Sequence, residues 1–390
     1  MTDPRDDLLI IGGGMVGTTA AWAAARHAPG SRIVLVDRGE PGGGTSAHSA
    51  ALIVPYAPDS AHRTLMGEAA ALLAEAPLAG FQRTVPMLFV TAQDNVTTAA
   101  GRFLGSPIPV ADATRLAALH AAYPDLRLGQ GETVLDAGDR CTLLDVPAWI
   151  TAVLDGTSPG APAPRVLTRT TVTRVRADGD GWAADTADGS VLRARRVLLA
   201  TGPWPAPEIV CDPGAVTTSD LVTAPATPRG EPSAATTTKL VAALHLAPGT
   251  LRDRPHTPGV VFLDDDLFVL PGATPLVSFA ARRILADGEV PRAGLPADEK
   301  AAGVRALARR LPALARQVTG GRCFPDTYTP GRLPVVDRPA AAPGLVRITG
   351  CSGSGIRFAP ALAARAVRLL DTPHDQPTTP HLLASSGATS

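Results

Sequence analysis

The chain has 390 residues, 45% of them hydrophobic and 18% charged, the composition of a folded globular protein with room for two or three domains. Lys plus Arg and Asp plus Glu both total 36, a formal net charge of zero, which argues against a nucleic-acid-binding surface. No apolar run approaches the ~20 residues of a membrane-spanning helix, and the scattered cysteines Cys141, Cys211, Cys323 and Cys351 lack the spacing of a metal site or a disulfide framework.

Leu8-Leu9-Ile10-Ile11 reads as a buried parallel strand. Gly12, Gly14 and Gly17 follow in G-x-G-x-x-G spacing, and then an alanine-rich helix, Thr18 to His27. Such glycines permit a tight turn, close backbone approach to a pyrophosphate and close helix-on-strand packing, while the helix N-terminus faces the phosphate charge. A second strand, Ile33 to Val36, ends at Asp37, 20 residues past Gly17, where a carboxylate can accept hydrogen bonds from a ribose diol. Strand, glycines, helix, strand and acid in this order point to an adenine dinucleotide. Because the first strand begins at residue 8, no signal peptide fits ahead of it, and a cytoplasmic location is expected. A monomer is the default.

Gly39 to Ala51 is a loop of small residues, suited to lie along an extended ligand. Helices are expected over Ser60 to Glu75, Ala111 to Ala122 and Asp145 to Leu154, the last with Asp145 as N-cap and Pro147 in its first turn. Met87 to Thr91 reads as a strand. Thr170 to Val175, Gly181 to Thr186 and Ser190 to Arg193 read as short strands joined by Asp-Gly turns, and a separate buried strand, Val197 to Ala200, leads into Thr201-Gly-Pro-Trp204. Val261 to Leu270 and Pro275 to Phe279 suggest antiparallel strands around the turn Asp264-Asp265-Asp266. A helix is expected over Asp298 to Val318, with Leu307, Leu311 and Leu314 on one face. Gly344 to Thr349 is a strand, Gly350 to Gly355 a second glycine-rich turn, and Ala359 to Leu370 a helix. The expected architecture is α/β. A discontinuous Rossmann-like nucleotide domain (1–80, 131–205 and 325–374) carries a second, α+β substrate domain built on an antiparallel sheet (81–130 and 206–324), and 375–390 forms a flexible tail.

This order of motifs resembles the flavin-dependent amine and amino-acid oxidoreductases of the D-amino-acid oxidase superfamily, nearest the glycine oxidase and monomeric sarcosine oxidase branches. Gly12 to Gly17 with Asp37, Thr45-Ser46 through Pro55, Ala200 to Trp204, Thr329 to Pro334 and Thr349 to Pro360 carry the resemblance. It implies an extended FAD. Ile11, Gly12, Gly14, Met15 and Val16 would cradle the pyrophosphate and Asp37 would meet the adenosine ribose, with Gly17 and Arg38 also belonging to the cofactor site. Gly44, Thr45 and Ser46 would follow the pyrophosphate, and Ala50, Ala51 and Leu52 the isoalloxazine. Val172 would pair its backbone with adenine, and Gly353, Ser354, Gly355 and Ile356 would lie at the pyrimidine edge; Thr201, Gly202 and Trp204 also belong to the implied cofactor site, with a structural role the competing reading for Trp204. The implied reaction moves a hydride from the carbon beside an amine nitrogen to flavin N5. The imine then hydrolyses, and dioxygen reoxidises the flavin to give hydrogen peroxide. A dehydrogenase with another electron acceptor and a non-catalytic FAD-bound regulatory protein are the alternatives. The partners implied are a small amine or amino acid and O2, with no nucleic acid, membrane or metal.

Arg357 fits the position of a basic residue that holds the substrate carboxylate, against the alternative of a surface arginine on a turn; Arg332 is a second candidate. His48 and Tyr56 are candidates for positioning substrate, against loop or packing roles. Cys323 lies near the position of covalent flavin attachment in the sarcosine oxidase branch, although a buried structural cysteine is the competing reading; Trp182 and Cys351 are read as packing. Two departures stand out. Ala51 and Val54 occupy positions where that branch has arginines, and Val277 falls near its oxygen-activating lysine, with neither Lys239 nor Lys300 an obvious substitute.

Overall fold

The computed structural model describes residues 5–372 apart from 76, 212–213, 217–235, 252–256, 273–274, 280–282, 287–288, 290–293 and 340. The tail expected over 375–390 lies outside the described residues.

The first sheet has ten strands around a parallel centre, in the order Arg165–Leu167, Ile33–Val36, Asp6–Ile11, Val191–Leu199 and Leu345–Thr349. Its central strands are apolar where both faces are covered, at residues 8–11, 33–36 and 197–199. Leu8 and Ile10 face a core shared with the helices Met15–His27 and Gly355–Asp371. Leu9 and Ile11 face a second core with Trp182 and Val175. Ala20, Ala21, Ala24 and Ala25 are all buried in Met15–His27, and their small side chains let that helix lie close to Gly355–Asp371.

Helix starts follow their caps. The side chains of Asp59, Asp112 and Asp145 accept the backbone N–H of His62, Arg115 and Ala148 at 2.8–3.0 Å, satisfying donors that a helix leaves open. The helices run over Ser60–Ala74, Ala113–Ala122 and Val146–Leu154, close to their expected spans.

Several sequence expectations are corrected. Ser190 to Arg193 and Val197 to Ala200 are one strand, Val191–Leu199, whose first half pairs antiparallel with Gly181–Thr186 and whose second half pairs parallel with Asp6–Ile11. The helix expected to Val318 ends at Arg310; Pro312, which lacks an N–H, opens a separate turn Pro312–Ala315, and Val318 begins a strand. Leu307, Leu311 and Leu314 are nevertheless all buried. The loop 39–51 contains a helical turn, Thr45–His48. The last helix begins at Gly355, four residues before the expected Ala359.

The second sheet has seven strands: Val318–Tyr328, Thr237–Leu246, Leu276–Phe279, Leu267–Leu270, Gly259–Phe262, Met87–Ala92 and Glu132–Asp136. All pairs are antiparallel except Gly259–Phe262 with Met87–Ala92. This pairing moves three boundaries. Glu132–Asp136 belongs with the seven-stranded sheet, Glu208–Cys211 with the ten-stranded one, and Val318–Tyr328 runs through the boundary expected at 325. Helix Ala297–Arg310 covers one face of the seven-stranded sheet; the other face looks onto a cavity.

Candidate functional site

A cavity of about 1200 Å³ runs from the opening glycine turn to the closing one and is bordered by both large sheets. At its first end Gly12 has φ +108°, and a Cβ there would lie 2.3 Å from the Ala200 carbonyl oxygen, so only glycine passes. Ile11, Gly12, Gly14, Met15 and Val16 border the cavity, but Gly17 does not. A Cβ on Gly17 would fall 1.9 Å from the Gly12 oxygen, so this glycine serves the close packing of helix on turn. The first N–H groups of helix Met15–His27 have no acceptor within it. That of Met15 donates to Ser46 Oγ at 2.9 Å, and the positive end of the helix dipole faces the cavity.

Asp37 accepts the N–H of Gly13 at 2.7 Å and of Gly39 at 2.8 Å. These bonds fix the carboxylate at the cavity edge with lone pairs still available for a diol. The Arg38 guanidinium sits 4.0 Å from the Trp204 ring centre, and both border the cavity with Val172, Thr201 and Gly202. Gly44, Thr45, Ser46, Ala50 and Leu52 border it too. Ala51 does not; it has φ +53° and packs against the core under the first sheet. The Thr45 hydroxyl donates to the Pro325 carbonyl at 3.0 Å, joining the turn Thr45–His48 to the second sheet.

The closing turn brings Gly353, Ser354, Gly355, Ile356 and Arg357 to the other end. Gly350, Ser352 and Gly353 take φ of +67°, +52° and +76°. Ser352 is held in this unfavourable region by its hydroxyl, which donates to the Gly350 carbonyl at 2.9 Å and accepts the Thr329 N–H at 3.2 Å. Since the helix starts at Gly355, the open N–H groups of Gly355, Ile356 and Arg357 lie in the turn itself.

Arg357 sits on that first helical turn. Its Nη1 donates to the carbonyls of Val54 at 3.3 Å and Tyr56 at 3.2 Å, its Nη2 donates to Ser354 Oγ at 2.9 Å, and its buried Nε has no partner. Among the described residues no carboxylate pairs with it, and burial pulls the guanidinium down to about 10. His48 borders the cavity, its ring stacked on Phe324 at 5.8 Å. Burial, and then the nearby Arg322 charge, lower its pKa, so it is neutral at pH 7. Arg322 also donates to the His48 carbonyl at 2.9 Å. Tyr56 borders the cavity as well, with its hydroxyl accepting from Arg102 at 2.7 Å.

Cys323 is turned the other way. Although it borders the cavity, its thiol meets the Gly294 carbonyl at 2.8 Å and packs with the cluster under helix Ala297–Arg310. Its strand neighbours Phe324 and Asp326 alternate between the two faces with it. Its placement on this side of the sheet is in keeping with the competing reading of Cys323 as a packing cysteine.

Two residues were missed. Asp326 is buried and accepts the N–H of Gly353 at 2.5 Å and of Thr327 at 2.9 Å, tying the second sheet to the closing turn; burial pushes its carboxyl up to about 6. Lys239 lies directly across the strands from Asp326, borders the cavity, and holds its Nζ 4.9 Å from the Tyr328 ring centre. The alternation that places Asp326 was hidden by Gly320-Gly321 and Pro325, which disguise an 11-residue strand; Lys239 lies on its partner strand Thr237–Leu246. Arg332, in the left-handed region at φ +57°, stands exposed at the cavity margin.

The sequence matches the FAD dependent oxidoreductase family over residues 7–369. The chain belongs to that family. No curated protein is significantly similar in sequence, whereas solved structures share the fold almost end to end. L-proline dehydrogenase from P. horikoshii is 16% identical with a TM-score of 0.74, covering 95% of this chain and 94% of its own. Glycine oxidase from Geobacillus kaustophilus is 15% identical (TM-score 0.70; 94% and 96%). The fructosyl amine:oxygen oxidoreductase Amadoriase I from Aspergillus fumigatus is 15% identical (TM-score 0.71; 96% and 89%). The residues present fit FAD. Gly12 leaves no room for a side chain where the opening turn borders the cavity, two helix N-termini open into that cavity, and Arg357 Nε is an orphaned buried donor. Among the described residues no group of three or more His, Cys, Asp or Glu could hold a metal, and no helix is long and apolar enough to cross a membrane.

Proposed function

We propose that this FAD-dependent oxidoreductase oxidises the C–N bond of a primary or secondary amine bearing a carboxylate, an amino acid in the simplest case, with dioxygen as electron acceptor. The observation that carries this reading is Arg357, a desolvated cation on the cavity wall without a carboxylate partner. A guanidinium in that state gains most from a ligand that supplies one, through two parallel charge-assisted bonds. The names of the solved relatives, which include an amino-acid dehydrogenase and two oxidases, are in keeping with it.

When bound, FAD supplies a hydride acceptor at flavin N5 and two electrons for an external acceptor. The chain's residues do the rest. The turn Ile11 to Val16 takes the pyrophosphate and Asp37 the ribose, with Gly44, Thr45 and Ser46 alongside; Arg38, Val172, Thr201, Gly202 and Trp204 frame the adenosine. Ala50 and Leu52 would flank the flavin, and the N–H groups of Gly355 and Ile356, beside Gly353 and Ser354, would stabilise negative charge on it. Arg357 fixes the carboxylate and hence the angle of the α-carbon. Neutral His48 accepts a proton from the substrate ammonium, freeing the nitrogen lone pair to become C=N as the α-hydrogen leaves with its electron pair. Water adds to the imine and releases a carbonyl compound and the amine or ammonia. Dioxygen takes up two electrons and two protons as hydrogen peroxide. The Tyr56 ring, its hydroxyl held by Arg102, closes the substrate end.

Anaerobic mixing with amino acids is expected to bleach the yellow flavin, and peroxide is expected to appear in air. No bleaching by any primary or secondary amine overturns the reading. Lys239 favours oxygen over other acceptors, because a cation on the wall stabilises negative charge developing on dioxygen. Lys239→Met is expected to slow aerobic reoxidation by about 100-fold while anaerobic reduction stays within about threefold; equal reoxidation rates in parent and variant remove this role. Cys323 faces the other side of its sheet, so the flavin is held non-covalently. Acid precipitation is expected to leave all colour in the supernatant, in the parent and in Cys323→Ser alike.

A further inference from the structure

The face that the seven-stranded sheet turns to the cavity is divided by chemistry. Alternation places Phe89, Val261, Phe268 and Leu276 on that face, while their neighbours Leu88, Val260, Val269 and Val277 join the cluster under helix Ala297–Arg310. Leu52 and Val54 close the chamber from the first sheet's side and belong to the same apolar cluster. The Arg357 guanidinium donates to the Val54 and Tyr56 carbonyls, so the unpaired cation stands at the edge of this chamber.

Of the charged groups on the same wall, Arg322 is the other cross-strand partner of Ala243, but its guanidinium is held by the His48 carbonyl and the His245 ring and does not border the cavity; the others lie farther along. Lys239 and Asp326 face each other across two strands, four residues along from Ala243, whose cross-strand partner is Ser278 and, beyond it, Phe268. Asp266 is exposed at the rim. The Tyr56 hydroxyl is engaged by Arg102, and His48 is stacked and neutral. Ser278 is left as the one hydroxyl among these apolar rows.

We propose, resting on the amine-oxidation reading above, that the substrate is an amino acid with a bulky apolar side chain. Its carboxylate lies on Arg357 and its side chain against Phe89, Val261, Phe268 and Leu276. A charged side chain in this chamber would lose its hydration with no partner to replace it. Glycine or serine would leave apolar surface uncovered. Burying a leucine- or phenylalanine-sized group is worth roughly 10- to 100-fold in kcat/KM over glycine.

The test uses the FAD-loaded protein. Leucine, methionine and phenylalanine, as both enantiomers, are compared with glycine, serine, glutamate and lysine in anaerobic flavin bleaching. In a second arm, unreactive carboxylates are titrated and read by flavin difference spectra and thermal shift: phenylacetate and 4-methylpentanoate against acetate and succinate. The expected result is at least about tenfold faster bleaching per unit concentration by one enantiomer of an apolar amino acid than by glycine. Phenylacetate should bind at least about tenfold more tightly than acetate, and Phe268→Ala should reduce that preference. Glycine, glutamate or lysine bleaching as fast as the apolar set overturns this inference and leaves the amine reading intact. If no amine bleaches the flavin, the amine reading fails, and the carboxylate arm still decides the chamber's chemistry: acetate or succinate binding as tightly as phenylacetate overturns it.

Discussion

Gly12→Ala is expected to yield protein that emerges from purification without yellow colour and takes up FAD at least about 100-fold more weakly than the parent, a loss of about 3 kcal/mol. Two costs combine. At φ +108° an L-residue is strained by about 1–3 kcal/mol, and the added methyl would lie 2.3 Å from the Ala200 oxygen and 2.8 Å from its carbonyl carbon. Those are backbone atoms and cannot rotate away, so the two turns must part, at a typical overpacking cost of about 1–3 kcal/mol. The displaced elements are the opening turn and the Ala200–Trp204 segment, both on the cavity wall, so cofactor affinity falls along with stability. Gly67→Ala is the control. It lies in the helix Ser60–Ala74, a Cβ there meets nothing within 4 Å, and the exchange should stabilise by about 0.5–1 kcal/mol with FAD affinity unchanged. Isothermal titration of the apoprotein with FAD and thermal melts measure both. Parent-like affinity in Gly12→Ala would falsify the assignment of this turn to the cofactor.

The legible parts of this chain were those where one local signal had one structural meaning. The opening strand, glycine turn and helix could be read to within two or three residues at their starts, because a strand buried on both faces, a side-chain-free turn and a small-residue helix each leave their own trace. The cap Asp145, with Pro147 in the first turn, marked a helix start for the same reason. Signals that serve two masters misled. Ala51 stands in a run of cavity residues, yet its left-handed backbone turns it into the core. The long helix expected to Val318 followed apolar spacing across Pro312, where buried Leu311 and Leu314 continue the pattern after the helix has stopped. Long-range pairing was invisible. Glu132–Asp136 joins the second sheet only because Met87–Ala92 lies beside it, and the strand that sends Cys323 to one face and Asp326 to the other carries two glycines and a proline.

Arg357→Met is expected to lower kcat/KM for a carboxylate-bearing substrate by about 100- to 1000-fold, from the roughly 2–5 kcal/mol that removal of one partner of a desolvated charge pair costs. The same variant should melt within about 1 kcal/mol of the parent, as removing an unpaired buried charge offsets the contacts it made. The sign follows from the shift. Burial pulls the Arg357 guanidinium down to about 10, so the folded protein binds that proton less tightly than the unfolded chain, and at pH 7 the charged group works against folding. Methionine keeps much of the stem's packing beside Phe358, above which the guanidinium lies at 4.6 Å, and forfeits only the bonds to Val54, Tyr56 and Ser354. A merely structural arginine would give the opposite pair of results, with stability lost and the surviving folded fraction fully active. Substrates should separate the two further. An amine lacking a carboxylate gains nothing from the guanidinium, so its kcat/KM should change less than about threefold in Arg357→Met. In the parent, the preference for the carboxylate-bearing substrate should fade as pH rises through about 10, where Arg357 loses its charge. Equal losses for both substrates, with no change in that preference, would remove Arg357 from carboxylate recognition.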